Sequence, residues 1–329
     1  MKKQVLTYIA AAIVISGVSL ARNACADAAG KELVQVHAAD ADPYARTEML
    51  LAQAHAGQRL VAVGDSGIVL LSDDGGKAWR QAKQVPVNAA LTSVAFTDAN
   101  NGWAVGHWGT ILHTVDGGET WTLQHSDPAA DRPFFSVYFS DARHGVAAGL
   151  WSLLMRTEDG GETWQPVTVP PPPGGGHADK NLFSIFASQK GTLFIAAEHG
   201  LVLRSQDGGS TWNYLDTGYK GSLWTGLALA DGQLLVGGLR GSLYRSDDDG
   251  STWQRVNTGT HSSVTGIVQQ GDHVVVSCLD GVILRSSDGG RTFAAAQRND
   301  RLPLTSVAID GNALVVLSKS GVVRDPGTL

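Results

Sequence analysis

The sequence predicts an all-β protein, a seven-bladed β-propeller of four-stranded antiparallel blades, and three observations carry that prediction. A box close to Ser/Thr-x-Asp-x-Gly-x-Thr-Trp recurs six times. Its copies end 40 to 48 residues apart, the length of one propeller blade. Between boxes, short apolar runs alternate with turn residues, as the strands of an antiparallel sheet do. Glycine accounts for 40 of the 329 residues, well above its ordinary share of about 7%, and turns use it.

The chain opens with Lys2 and Lys3, a mostly apolar run over 5–20, and Ala24-Cys25-Ala26. That is the pattern of a secretory signal with a small-residue cleavage site. The expected organisation is therefore a signal peptide over 1–26 and a propeller over 27–329. The apolar run is short and soon followed by Arg22, which argues against a membrane span. Acylation at Cys25 is the alternative. Cleavage would remove Lys2, Lys3 and Arg22, taking the formal charge from −6 to −9. An acidic balance argues against nucleic acid as a partner, because phosphates need a basic face. Cys278 would remain as a lone thiol, so no disulfide framework is expected and a large core must hold the fold.

The blades can be followed in order. Glu32-Leu-Val-Gln-Val36 resembles a fourth strand and is expected to complete the last blade, closing the ring from both termini. In the second blade, Leu91-Thr-Ser-Val-Ala-Phe96, Trp103-Ala-Val105 and Thr110-Ile-Leu-His113 are strands, and Trp121-Thr-Leu-Gln124 begins the fourth. The long interval between the third and fourth boxes holds Pro170-Pro-Pro-Pro-Gly-Gly-Gly176, a loop insertion. After the sixth box, three more strands supply the seventh blade.

The boxes read as structure. Their acids and aromatics are Asp74 and Trp79, Asp116 and Trp121, Asp159 and Trp164, Asp207 and Trp212, Asp248 and Trp253, Asp288 and Phe293. A hairpin turn needs glycine at positive φ and an Asp or Ser side chain to hold nearby amides. The aromatic is expected to pack inside its blade. A small-hydroxyl series, Ser93, Ser136, Ser184, Thr225, Thr265 and Ser306, is expected to satisfy backbone groups where blades meet. Arg156, Arg204, Arg245 and Arg285, each eight residues before a box end, are expected to pair with neighbouring acidic turns or to cover strand edges.

The box is the Asp-box (BNR) repeat of sialidases, other glycosidases and sortilin-type receptors. With Gly-Trp-Ala-Val-Gly-x-x-Gly-x-Ile-Leu-x-Thr-x-Asp-Gly-Gly-x-Thr-Trp over 102–121, the chain more closely resembles the photosystem II stability/assembly factors. The resemblance implies an exported, non-catalytic, monomeric propeller that binds a subunit of a membrane protein complex. That complex would be photosystem II in a photosynthetic host, or otherwise an envelope transporter. The location would be the periplasm or the thylakoid lumen.

A binding surface is expected where the turns between second and third strands surround the channel mouth. Glycines frame these turns while their tips vary, and loops on a rigid scaffold carry function. The candidates are Asp65, His107, Trp108, Trp151, Glu198, His199, Arg240, Asp280 and Lys319. Exposed Trp and Arg suit a protein-binding hot spot. The alternative is a sialidase-like glycoside hydrolase or a carbohydrate-binding propeller. The only Arg-Ile-Pro-like string, Arg301-Leu-Pro303, falls after the last box, and no catalytic residue is assigned. No metal-ligand spacing is present, so neither metal nor cofactor is expected.

Overall fold

The computed structural model describes residues 37–323 and 327–329. Seven antiparallel sheets follow one another along the chain. Blade 1 takes Leu50–Ala56, Arg59–Gly64, Val69–Ser72 and Arg80–Gln81. Blades 2 to 6 span 91–125, 134–166, 182–216, 223–256 and 264–297, with four strands each. Blade 7 has Leu304–Asp310, Ala313–Ser318 and Gly321–Val322, three strands among the described residues. The strand expected at 32–36, the signal peptide over 1–26 and Cys25 lie outside the described residues. The described chain begins beside blade 1, where the Ala39 amide donates to the Val85 carbonyl at 3.0 Å. First strands of successive blades are neighbours. Blades 7 and 1 join in the same way, with Thr305 Oγ1 donating to the Leu50 carbonyl at 2.6 Å and Gln53 Nε2 to the Val315 carbonyl at 2.9 Å.

The core lies in the seams between blades. A blade is one sheet thick, so each sheet must bury both of its faces against its neighbours. Within Arg59–Gly64, Val61 and Val63 enter the seam with blade 2, while Leu60 and Ala62 enter the seam with blade 7. Second strands such as Gly102–Gly106 and Leu193–Ala197 are therefore buried throughout and read as continuous small or apolar runs. Seven apolar clusters fill the seven seams.

The box aromatics belong to these seams, which corrects the expectation that each packs inside its own blade. Trp121 meets Val61 and Leu71 of blade 1, and Trp212 meets Val146 and Leu154 of blade 3. Trp79, Trp164, Trp253 and Phe293 likewise join the cluster shared with the preceding blade. A single sheet has no interior, so a large side chain can leave water only between two sheets. In the seam between blades 6 and 7, Leu329 packs against the cluster instead.

Each box is a closed hydrogen-bond unit. In the third, Thr157 Oγ1 donates to Asp159 Oδ1 at 2.8 Å and accepts from the Gly161 amide at 2.9 Å. The Thr163 amide and hydroxyl donate to the two oxygens of Asp159 at 2.9 and 2.6 Å. The Thr163 hydroxyl, the Thr163 amide and the Thr157 hydroxyl hold the Asp159 carboxyl at about 2. The other five box aspartates are also held below the usual carboxylate range. Trp79, Trp121 and Trp212 close their boxes by donating from Nε1 to the carbonyls of Gly76, Gly118 and Gly209.

A second set of bonds ties each box to the blade before it. The backbone carbonyl at the fourth box position accepts from that neighbour in four consecutive seams. Arg59 Nη1 donates to Gly117, Trp103 Nε1 to Gly160, Arg156 Nε to Gly208 and Arg204 Nη1 to Asp249, at 3.0 to 3.2 Å. Arg285 Nε donates to the Thr328 carbonyl at 3.0 Å, and Arg245 lies 3.1 Å from Asp247 within its own blade. Arg156, Arg204 and Arg285 thus reach carbonyls across a seam, while Arg156, Arg204 and Arg245 also pair with acidic side chains, Arg204 with Asp249 of the neighbouring box at 3.7 Å. The hydroxyl series crosses seams at Ser93, which accepts from the Val137 amide at 3.3 Å, and at Ser136, which accepts from the Ile185 amide at 3.0 Å. Thr265 bonds Ser277 in its own blade instead. Cys278 is fully buried, and burial pushes its thiol up to about 12, so it acts as a small hydrophobe.

Truncating Trp121 to Ala should cost about 3–5 kcal/mol, whereas Leu123→Ala, at a 45% exposed site, should change stability by less than about 0.5 kcal/mol. Urea denaturation reads both. A carboxyl held below its unfolded value of about 3.9 stabilises the fold fully above that pH and loses this contribution as the pH falls toward 2. The thermal midpoint should therefore drop between about pH 4 and pH 2, and Asp159→Asn should make that drop shallower.

Candidate functional site

The two ends of the ring differ in construction. One face carries the boxes and the turns between first and second strands, which bond each other: the Gly117 amide donates to Asn100 and the Gly160 amide to Arg143. The other carries the turns between second and third strands together with the links from blade to blade. A groove of about 690 Å³ on the box face is bordered by Arg143, Arg156, Glu158 and Ser210. Arg156 there is already engaged by the Gly208 carbonyl and, at 2.6 Å, by Glu158. The link face is where the tips vary.

All seven link-face turns are anchored in one way. The first tip residue donates its amide to the carbonyl just before the first strand of its own blade. The pairs are Asp65 to Met49, His107 to Ala90, Leu150 to Pro133, Glu198 to Asn181, Leu239 to Ser222, Leu279 to Ser263 and Lys319 to Pro303, at 2.9 to 3.3 Å. Gly106 precedes its turn because a Cβ there would run into the Ala90 carbonyl oxygen. In six turns the middle residue is left-handed without being glycine: Ser66, Trp108, Trp151, His199, Arg240 and Asp280, with φ between 51° and 58°. Five of these six side chains are exposed, and Trp108 is half-buried. A left-handed L-residue costs about 1–2 kcal/mol, held in place by the bonds on either side.

All the proposed site residues therefore reach one face, in three different situations. Trp151, His199, Arg240, Asp280, Lys319 and His107 project into solvent. Trp151 is 60% exposed, and in its turn Ser152 takes the left-handed place that glycine holds in the other five such turns. Trp108 instead packs against the apolar seam between blades 1 and 2, so its removal would damage the fold. Asp65 and Glu198 are occupied with their own surroundings. Asp65 Oδ1 accepts from the Ser66 amide at 2.9 Å. The oxygens of Glu198 accept from Asn181 Nδ2 and the Asn181 amide, at 3.0 and 3.1 Å. Asn181 Oδ1 in turn accepts from the Trp151 amide at 3.1 Å, so this one side chain ties the tips of blades 3 and 4.

Three aromatic residues on the inner strands were missed by the sequence reading. The second residue of the first strand is Thr92, Phe135, Phe183, Trp224, Thr265 or Thr305 in blades 2 to 7, at a β-bulge in each. Thr92 and Thr305 bond the opening carbonyl of the next blade's first strand. Blades 3 to 5 carry aromatic rings in this slot, all half-buried, and Phe135 and Phe183 stack at 5.6 Å. The signal lay one residue before the hydroxyl series. Among the described residues, no cluster of His, Cys, Asp and Glu is arranged to hold a metal ion.

Against known proteins, the family model described as photosynthesis system II assembly factor YCF48 matches residues 81–135 and 129–310. The chain belongs to this family. Over 52 residues it is 40% identical to the photosystem II assembly protein Ycf48 of Thermosynechococcus vestitus, which is 14% of this chain and 15% of that protein. Over 48 residues it is 46% identical to the chloroplastic photosystem II stability/assembly factor HCF136 of Cyanidioschyzon merolae, which is 14% of this chain and 11% of that protein. Among solved structures, YCF48 bound to a D1 peptide superposes with a TM-score of 0.69 at 20% identity, over 88% of this chain and 98% of that one. YCF48 from Cyanidioschyzon merolae gives 0.68 at 18% identity, over 84% and 94%. A GH74 enzyme of Niastella koreensis gives 0.64 at 14% identity, over 84% of this chain and 52% of that one. At these identities the structural likeness speaks for the YCF48-type fold alone, which other chemistries share.

Replacing Asn181 with Ala should free Glu198 and the Trp151 amide together. The expected cost is about 1–2 kcal/mol in urea denaturation, and the indole of Trp151 should become more mobile by fluorescence anisotropy.

Proposed function

We propose that the protein is an exported, non-catalytic assembly factor that holds a segment of a membrane-complex subunit on its link face. Membership of the YCF48 family carries this reading. The varied, exposed tips on a uniformly anchored frame support the choice of face. The D1 peptide held by a structurally similar YCF48 points to a subunit of photosystem II as partner in a photosynthetic host. Elsewhere the partner is another membrane complex, such as an envelope transporter. The protein acts as a monomer in the periplasm or the thylakoid lumen.

The state of the acids favours binding over hydrolysis. A glycosidase needs two carboxyl groups facing one bond and open to the substrate. On this face Glu198 is engaged by Asn181 and Asp65 by its own turn, which leaves Asp280 as the exposed acid among the three. The arrangement suits recognition, where fixed backbone and mobile side-chain tips meet a partner's surface.

An affinity capture from detergent-solubilised host membranes tests the proposal. The mature protein should enrich one membrane complex, and a Trp151→Ala/Arg240→Glu variant should lose at least tenfold of it with an unchanged melting point. Enrichment of nothing by the wild type, with cleavage of a chromogenic glycoside, would reverse the reading.

A further inference from the structure

The loops that join blade 4 to blade 5 and blade 5 to blade 6 repeat one pattern, Asp216-Thr-Gly-Tyr-Lys-Gly-Ser222 and Asn257-Thr-Gly-Thr-His-Ser-Ser263. Matching bonds fix the correspondence. Thr217 and Thr258 donate from Oγ1 to the carbonyls of Gly200 and Gly241, at 2.8 and 2.9 Å. The carbonyls of Ser222 and Ser263 accept from the amides of Leu239 and Leu279, at 3.0 and 2.9 Å. Tyr219 therefore corresponds to Thr260, and Gly221 to Ser262. In the first loop the Tyr219 ring folds over blade 5. Its hydroxyl donates to the Leu239 carbonyl at 3.0 Å, and its ring meets that of Tyr244 at 5.7 Å within the apolar cluster of the seam. Gly221 has no side chain because a Cβ there would strike the Tyr219 ring. Tyr244 pairs with Arg255 of the outer strand. One blade on, all three large side chains are replaced by smaller ones. Thr260 stands for Tyr219, and Leu284, paired with Ala295, stands for Tyr244 paired with Arg255. Ser262 uses part of the room to donate from Oγ to the Leu279 carbonyl. What remains is a cleft of about 340 Å³ at the rim of the link face, lined by Thr260, Val282 and Ala295 and bordered by Asp280, Arg301 and His261. That volume is near the lower end of the range of about 300–1,000 Å³ for small-molecule sites. Val282 is buried, while Asp280, Arg301 and His261 are exposed. Among the described residues, none of these three side chains makes a hydrogen bond or an ion pair. Arg298 nearby is by contrast held by Asp300 at 2.7 Å.

We propose that this cleft binds a free aromatic amino acid, its ring in the place that Tyr219 fills one seam earlier. The ring would lie against Thr260, Val282 and Ala295. The ammonium would meet the Asp280 carboxylate, and the carboxylate would meet the Arg301 guanidinium with His261 beside it. Packing carries the ring: the seams are filled to close density, and the equivalent seam takes an aromatic side chain at this place. Charge complementarity carries the rest, because one unpaired acid and one unpaired arginine bordering the same cleft match a zwitterion. An aromatic side chain inside a polypeptide brings neither charge, and a neutral sugar leaves both unanswered. Ser262 already bonds the Leu279 carbonyl, so the ring needs no hydroxyl, which points to phenylalanine rather than tyrosine. This ligand is additional to the assembly-factor reading and does not depend on it.

Isothermal titration calorimetry of the mature protein with L-phenylalanine tests this. Binding should reach half-saturation at or below about 1 mM. N-acetyl-phenylalaninamide, which keeps the ring and lacks both charges, should bind about tenfold more weakly or worse. Asp280→Asn and Arg301→Gln, at exposed sites, should each weaken phenylalanine about tenfold with an unchanged melting point. The double variant Thr260→Tyr/Ser262→Gly copies the preceding seam, so it should fold as stably as the wild type and lose the binding. No half-saturation by about 1 mM phenylalanine, equal binding of the capped analogue, undiminished binding by the double variant, or a preference for glucose would overturn the proposal. The two charge variants decide the matter even if the double variant folds poorly, since binding indifferent to both of them also sinks it. None of these readouts involves a membrane complex, so this titration and the membrane capture fail separately.

Discussion

A sheet one strand-layer thick cannot stay dry by itself, and the whole molecule follows from that. Each blade hides both faces against its neighbours, so stability accrues at seven seams and depends on the ring being closed. The Asp-box joins the two requirements. Its Asp and hydroxyl fold the turn, its aromatic enters the preceding seam, and the carbonyl at its fourth position accepts a bond from the preceding blade at four seams. Local turn chemistry and long-range closure are carried by the same eight residues.

That economy explains which parts were legible in the sequence. The boxes and their spacing marked six blades, the strands after the last box added the seventh, and the glycine-framed tips marked the link face, because all are local patterns. The destination of the box aromatics was not local. Trp121 belongs to a seam with residues 61 and 71, and no spacing within its own blade reveals that. The role of Arg156 and Arg204 was partly visible: Arg204 meets the Asp249 carboxylate of the neighbouring turn as expected, but both also reach a backbone carbonyl there, which has no letter in the sequence.

The site was legible as a face and less so as a surface. Trp108 and Trp151 occupy equivalent tips, yet one packs against a seam and the other stands 60% exposed. The sequence pattern of the two turns is nearly the same, and what separates them is the neighbour each meets: the blade 1/2 seam for Trp108, and Asn181, which holds the amide of Trp151. The inner aromatics Phe135, Phe183 and Trp224 escaped notice because a bulge places them out of step with the strand alternation that guided the reading.

The left-handed tip residues separate two kinds of information. The backbone conformation of each tip is enforced by its amide bond to the start of its own first strand, so the side chain contributes little to specifying it. Ser, Trp, His, Arg and Asp all occupy this position in one molecule. A surface built in this way can change its chemistry one blade at a time without renegotiating the fold. Divergent members of such a lineage can keep the same ring while meeting unrelated partners.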